Sequence, residues 1–440
     1  MHENESSGSD KNLTRRQLLN SLGTAGVMLA ASTAWSGIAS AADPILPRPD
    51  SGVWLNVKDY GARGNGRYDQ DDTPYFQMAI DAAAFAGGTV VVPPGKYMLN
   101  SSIMLRSKVN IIGMGEGSFI KSMQPYVSLF SGDHINQVQI RGFALQGTAG
   151  TNAGKLPKVE RGVELNDCES VMVSDCSFSM IVNGIQLTNS RYIRVKNCSF
   201  SSIISSDSLY EGYGIVAQSG AHHQLTDNRF FGLYKPCIHL SGGCSYSVIS
   251  GNLAEGCRDA VISLSSKLVS CSHHQIIGNT VSAAGLTDNE TSCKEGIRLK
   301  DNCSDNWIAG NVIVRASQAG ISLVGDGASI DDRPYSNMIQ GNKVDGSLTG
   351  IGLLNTDGNI VTGNDVRRAE TGIMIDTSGE DGGSISKQNT VTNNSLFRCS
   401  TAGIRLASAR CQGNAVFGNS GAGNGESLKD QGTDTVKSGF

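Results

Sequence analysis

Eight side chains that can donate, accept or stabilise charge fall in one stretch of this chain: Glu211, Tyr213, Lys235, His239, Asp259, Glu295, Arg298 and Lys300. Two chemistries fit them. Proton abstraction beside a uronate carboxylate needs a base, and cations to neutralise that carboxylate. Lys235, His239, Arg298 and Lys300 cover both roles, and Ca²⁺ is a further neutralising charge that such an elimination would use. Glycosidic hydrolysis needs two carboxylates about 5–9.5 Å apart. Asp259 and Glu295 are the pair for that, with Tyr213 and Glu211 as substrate-binding groups. The plain alternative is a solvated face with charge ladders, because clustered charges mark sites only statistically.

A repeat brings these residues together. A unit of small–Ile–x–Leu, a polar turn, then Ile–x–Gly–Asn–x–Val recurs, with its first position at Gly162, Gly184, Gly214, Cys237, Ala260, Gly296, Gly320, Gly350, Gly372 and Gly403. The short intervals are 22 to 24 residues; longer ones add a loop. In the run 296–299, Ile297 and Leu299 point one way and Arg298 the other, because strand side chains alternate. One such coil cannot bury its own Ile and Leu, so coils must stack at about 4.8 Å. The Gly-Asn pairs at 251–252, 278–279, 310–311, 341–342 and 363–364 mark turns that need a left-handed backbone, with Asn side chains stacked from coil to coil. The prediction is an all-β fold, a right-handed parallel β-helix over 89–420, closed by a capping helix that begins near Pro74 within an N-terminal segment 42–88. Residues 421–440 read as a polar tail. The horseshoe of leucine-rich repeats is excluded, since its L-x-x-L-x-L spacing is missing.

Aligning the coils gives an outward column of Glu164, Gln186, Val216, His239, Arg298, Ser322, Gly352, Met374 and Arg405. The position just before the strand holds Arg161, Asn183, Tyr213, Pro236, Asp259 and Glu295. The longer loops 203–212, 284–294 and 325–336 border the same region. His223 and His274 fall in a turn slot that holds Asn306, Asn337 and Asn359 in other coils, so they are structural residues, and no metal site is expected.

Composition narrows the class. There are 54 glycines, 17% charged residues and a formal charge of −4, which suits a turn-rich fold and excludes the basic face of a nucleic-acid binder. No apolar run is long enough to span a membrane. Thr14-Arg15-Arg16-Gln17-Leu18-Leu19, a mildly apolar stretch and Ala39-Ser40-Ala41 form a twin-arginine-type export signal over 1–41. The expected partner is the twin-arginine machinery, or the general secretory route as the alternative, and the expected destination is the periplasm or the medium. Eleven cysteines, an odd number without a C-x-x-C pair, point to small interior residues such as Cys176 and Cys198.

Residues 56–99, with Val57-x-Asp59-Tyr60-Gly61-Ala62, Asp71-Asp72-Thr73 and Gly87-Gly88-Thr89 running to Pro93-Pro94-Gly95-x-Tyr97, resemble the N-terminal signature of the pectate-lyase-like superfamily. The resemblance implies a β-helical protein acting on an acidic polysaccharide. Glu295–Asp301 resembles the Arg-Ile-Lys motif of the related polygalacturonases. Their paired Asp would fall on Lys235-Pro236, and Cys257–Leu264 lacks their Gly-His-Gly. Asn355-Thr356-Asp357 and Asp331-Asp332 come after Arg298 and so in the wrong order. The Asp-Pro-His of uronate epimerases is missing too. Two functions therefore stand side by side: an exported lyase or hydrolase, and a non-catalytic polysaccharide-binding or envelope-associated solenoid.

Overall fold

A computed structural model describes residues 53–85, 87–148, 160–203, 211–282, 293–326, 332–378 and 384–439. The expected export signal lies outside them. The alternating Ile and Leu of each repeat have one way to leave water, which is to face the same residues of the coils above and below. The chain does this as a right-handed parallel β-helix. A 13-stranded parallel sheet carries the small–Ile–x–Leu strands, from Ile103–Met104 to Glu426–Asp430. Parallel pairings in a 26-stranded set carry the rest of each coil. Ile215, Ile238, Ile262, Ile297 and Ile321 lie in register and are buried.

That register moves one position of the sequence alignment. The small residue ahead of Ile262 is Val261, not Ala260. A one-residue slip would turn Ile262 and Leu264 out to solvent, so the turn before the strand absorbs the difference instead. The small residue itself has a packing cause. A Cβ on Gly184 would lie 2.5 Å from the Gly214 carbonyl oxygen and 2.6 Å from the Phe200 ring. Phe178, Phe200 and Phe230 form an interior stack with centroids 4.7 and 4.9 Å apart.

The turns are held by two ladders of buried asparagines. One runs Asn228, Asn252, Asn279, Asn311, Asn342, Asn364, Asn394, Asn419; the other runs Asn306, Asn337, Asn359, Asn389, Asn414. The rung at Asn311 shows the bonding. Its Oδ1 accepts from the Asn279 backbone N–H and side-chain amide, each at 2.9 Å, and its Nδ2 donates to the Ile276 carbonyl at 2.9 Å. His274 takes an asparagine's place, with Nδ1 accepting from Ser247 N at 3.1 Å and Nε2 facing the Cys244 carbonyl at 2.9 Å. Burial pushes its pKa down to about 4, and that of His223 to about 3, so both are neutral at pH 7. His274 thus does an asparagine's work, whereas both ring nitrogens of His223 are buried without a hydrogen-bond partner among the described residues, so it fills its slot by packing alone.

Both ends differ from expectation. Val53–Asn56 pairs with Gly88–Val92, so the helix begins before residue 89. Within 421–440, Glu426–Asp430 pairs with Ala402–Leu406, and Val436–Ser438 with Ala415–Phe417. The segment is mostly exposed, while Leu428 still packs on the core. At the other end, the helix Thr73–Ala84 buries Phe76, Ala79, Ile80 and Ala83 over the first coils. Asp71 Oδ1 accepts from Thr73 N at 2.9 Å, and Asp72 ties Arg63 N at 2.9 Å to Met98 N at 3.3 Å.

Asn311→Ala strands two donors and a carbonyl at once. We expect a loss of at least about 2 kcal/mol, read as a lowered urea midpoint. An unchanged midpoint would show that the ladder does not hold the coils together.

Candidate functional site

The outward column is confirmed strand by strand and gains one member, Ser263, between His239 and Arg298. Its most polar section centres on Arg298. The Arg298 Nη1 lies 2.9 Å from Glu295 Oε2 and 3.3 Å from Asp259 Oδ1, so those two oxygens are at most about 6 Å apart. Glu295 is the more buried carboxylate, and its Oε1 accepts from Ser322 Oγ at 2.5 Å. The strand alternation puts Arg298 outward, and the one-coil step brings Ser322 beside it.

Asp259 reaches the site by a route the alignment missed. The residue opposite the Glu295 position is Ala260, and Asp259 stands one residue earlier, in the turn. Arg298 spans the difference. The Tyr213 ring stacks on His239, with centroids 5.3 Å apart and planes 19° from parallel. Burial raises the Tyr213 pKa, with the charges of Asp259 and Glu211 adding to it. Burial, then the Arg298 charge, pushes His239 down to about 4. At neutral pH the pair is a phenol and a neutral imidazole. His239 Nδ1 and Arg298 Nε are buried without a hydrogen-bond partner.

The remaining candidates divide. Lys235 lies close enough for its charge to be felt by His239, and Lys300 projects from the strand two residues beyond Arg298. Neither has an ion pair among the described residues. Glu211 does not join the Arg298 group. It pairs with Arg161 at 2.9 Å and accepts from Asn183 Nδ2 at 2.5 Å, forming a separate buried polar knot. Arg161, Asn183 and Ser322 stood in the aligned columns, yet nothing in the sequence showed which neighbour each would choose.

Among the described residues, one group has the composition of a cation site: Asp133, His134 and Asp167, all exposed, with ligand atoms within 4.8 Å of one another. Asp133 raises the His134 pKa. Asp133 and Asp167 adjoin the strands Ser128–Asp133 and Arg161–Asn166, and the second of these is five strands from the one that carries Arg298.

With fold and site described, their relatives can be stated. The chain belongs to the rhamnogalacturonase A/epimerase, pectate lyase-like family, whose model matches residues 54–286. Residues 325–438 match the model of the periplasmic copper-binding protein NosD. That segment does not suit copper, since it holds no histidine, its two cysteines, Cys399 and Cys411, are buried with raised pKa values, and its two methionines, Met338 and Met374, lie on strands of different sheets.

Alginate lyase 7 of Azotobacter vinelandii is 42% identical over 73 residues, 15% of this chain and 8% of that protein. Mannuronan C5-epimerase AlgE4 of the same organism is 32% identical over 117 residues, 23% of this chain and 21% of the epimerase. The chain thus spans under a tenth of the first relative and about a fifth of the second. Two solved structures share the fold. The catalytic unit of a GH87 alpha-1,3-glucanase from Streptomyces thermodiastaticus has TM-score 0.60 and 16% identity, covering 90% of this chain and 70% of that one. The tailspike of E. coli bacteriophage HK620, in complex with a pentasaccharide, has TM-score 0.61 and 15% identity, covering 87% and 80%.

Because the Arg298 charge helps hold His239 neutral, Arg298→Ala should move its imidazole titration upward from about 4. Histidine NMR across pH 3–8 reads this, and an unmoved midpoint would separate the two groups.

Proposed function

We propose that this is an exported enzyme that cleaves an extracellular acidic polysaccharide by glycosidic hydrolysis, with Asp259 and Glu295 as its carboxylate pair. The observation that carries the reading is the single guanidinium nitrogen of Arg298 shared by both carboxylates on an outward sheet face. Glu295 accepts from two donors, Arg298 Nη1 and Ser322 Oγ, which fixes its orientation as a nucleophile or base would need. Asp259 has one longer contact and more exposure, so it is the carboxylate left to face the leaving oxygen, to which it would have to deliver the proton. Their oxygens approach closer than the roughly 6.5–9.5 Å of inverting pairs, so retention of configuration is expected. Lys300, two residues beyond Arg298 on the same strand, and Lys235, whose charge is felt by His239, are the cations this reading offers to an anionic sugar. The pectate lyase-like family and structural neighbours that include a glucanase and a tailspike bound to a pentasaccharide support a polysaccharide substrate.

Elimination is the second reading. It draws on the Tyr213–His239 pair, a phenol able to protonate a leaving oxygen beside an uncharged imidazole base. Against it, Arg298 is already engaged by two carboxylates and has little charge left for a uronate. Neither reading routes a step through a metal.

The mature chain should be incubated with a panel of uronate polymers, following new reducing ends and unsaturated-product absorbance together. New reducing ends without that absorbance are expected. Glu295→Gln and Asp259→Asn should each lower the rate by about 100-fold or more. Absorbance that survives both substitutions would replace hydrolysis by elimination. Binding without turnover on every polymer would leave a binding solenoid.

A further inference from the structure

All eleven cysteines are buried and unbridged. Most follow from the fold, because a coil interior needs small apolar residues. Cys271 and Cys303 sit opposite each other on neighbouring parallel strands, and Cys176 and Cys198 immediately precede paired residues. In such a register the two Cα–Cβ bonds run side by side, whereas a disulfide needs its Cβ atoms turned toward one another with a dihedral near 90°.

The Cys176 and Cys198 thiols also meet, but from equivalent positions of successive coils; Cys237 and Cys257 come from different ones. Cys237 immediately precedes the strand Ile238–Ser241. Cys257 lies in the turn that leads into the next coil, where the following residue, Arg258, donates its N–H to the Leu233 carbonyl. The two thiols therefore enter the interior from different parts of the coil and meet there, Sγ to Sγ, at 2.8 Å. Cys293 lies near enough for its charge to bear on Cys237. Each member of the pair stands two residues ahead of a group at the candidate site: Cys237-Ile238-His239 and Cys257-Arg258-Asp259.

The geometry points to Cys237 and Cys257 as a structural disulfide that ties the coil bearing His239 to the turn bearing Asp259. It forms by exchange with a disulfide-bearing oxidant, protein or small molecule. One thiolate attacks the oxidant's sulfur and releases a thiol; the second thiolate attacks the mixed disulfide and releases another. Two protein thiols are oxidised and one external disulfide is reduced to two thiols. Burial pushes the Cys237 thiol well above its ordinary pKa. Exchange in the closed structure is therefore slow, and the bond forms as the coils assemble. The cross-link is independent of which reaction the site performs.

The test refolds the mature chain from denaturant in a mixture of reduced and oxidised glutathione, quenches it, and alkylates all free thiols after unfolding. We expect nine of the eleven cysteines to be alkylated, and peptide mapping without reductant to recover Cys237 joined to Cys257. Cys257→Ser should return Cys237 to the alkylated pool. Eleven alkylated thiols after oxidative refolding would overturn the assignment, and so would a cross-link from Cys257 to Cys293. If the variant fails to fold, the thiol count and mapped pair of the unsubstituted chain still decide the question.

Discussion

Stacked coils pose one problem at every turn: backbone groups are taken from water where the chain bends and no strand partner is available. An unpaired buried donor or acceptor costs about 1–3 kcal/mol, and the cost recurs on each coil. The asparagine ladders answer it with a side chain that both donates and accepts. Each amide closes a backbone N–H and a carbonyl of the preceding coil, and its Nδ2 then passes the pattern to the next asparagine, as at Asn311. The spacing of everything outside the core follows from that repeat.

A face built this way places side chains at fixed steps along the axis, so chemistry depends on which residues the register makes neighbours. Arg298 is the clearest case. It gathers a carboxylate from its own coil and one from the preceding turn, and Ser322 of the next coil completes the group. The opposite outcome holds for Glu211, which is drawn to Arg161 and Asn183. Turn positions show the same logic without chemistry. Tyr192, His222, Tyr246 and His273 all take a left-handed backbone that bulky residues avoid, and their rings stack at 4.7–5.2 Å. The stacking offsets part of that cost.

The family match ends near residue 286, while Glu295 and Arg298 lie just beyond it. The described strands on either side of that boundary pair in register, and residues 325–438 match a different model. Similarity of coils is thus a statement about stacking, and the residues on the outward face must be argued separately.

Alternation, small residues and Gly-Asn turns are local properties, so the chain alone determined the β-helix, the inward Ile and Leu, the outward column and the structural use of His223 and His274. It also determined that Arg298 faces outward. The one-residue offset at Asp259, the bond partners of Glu211, the unpartnered ring of His223 and the extra coil beyond Asn419 were not legible. Each depends on how a turn absorbs surplus length, or on which of several polar neighbours wins a hydrogen bond. Those choices are made between coils some 20 to 50 residues apart in sequence, and only their stacking in space decides them.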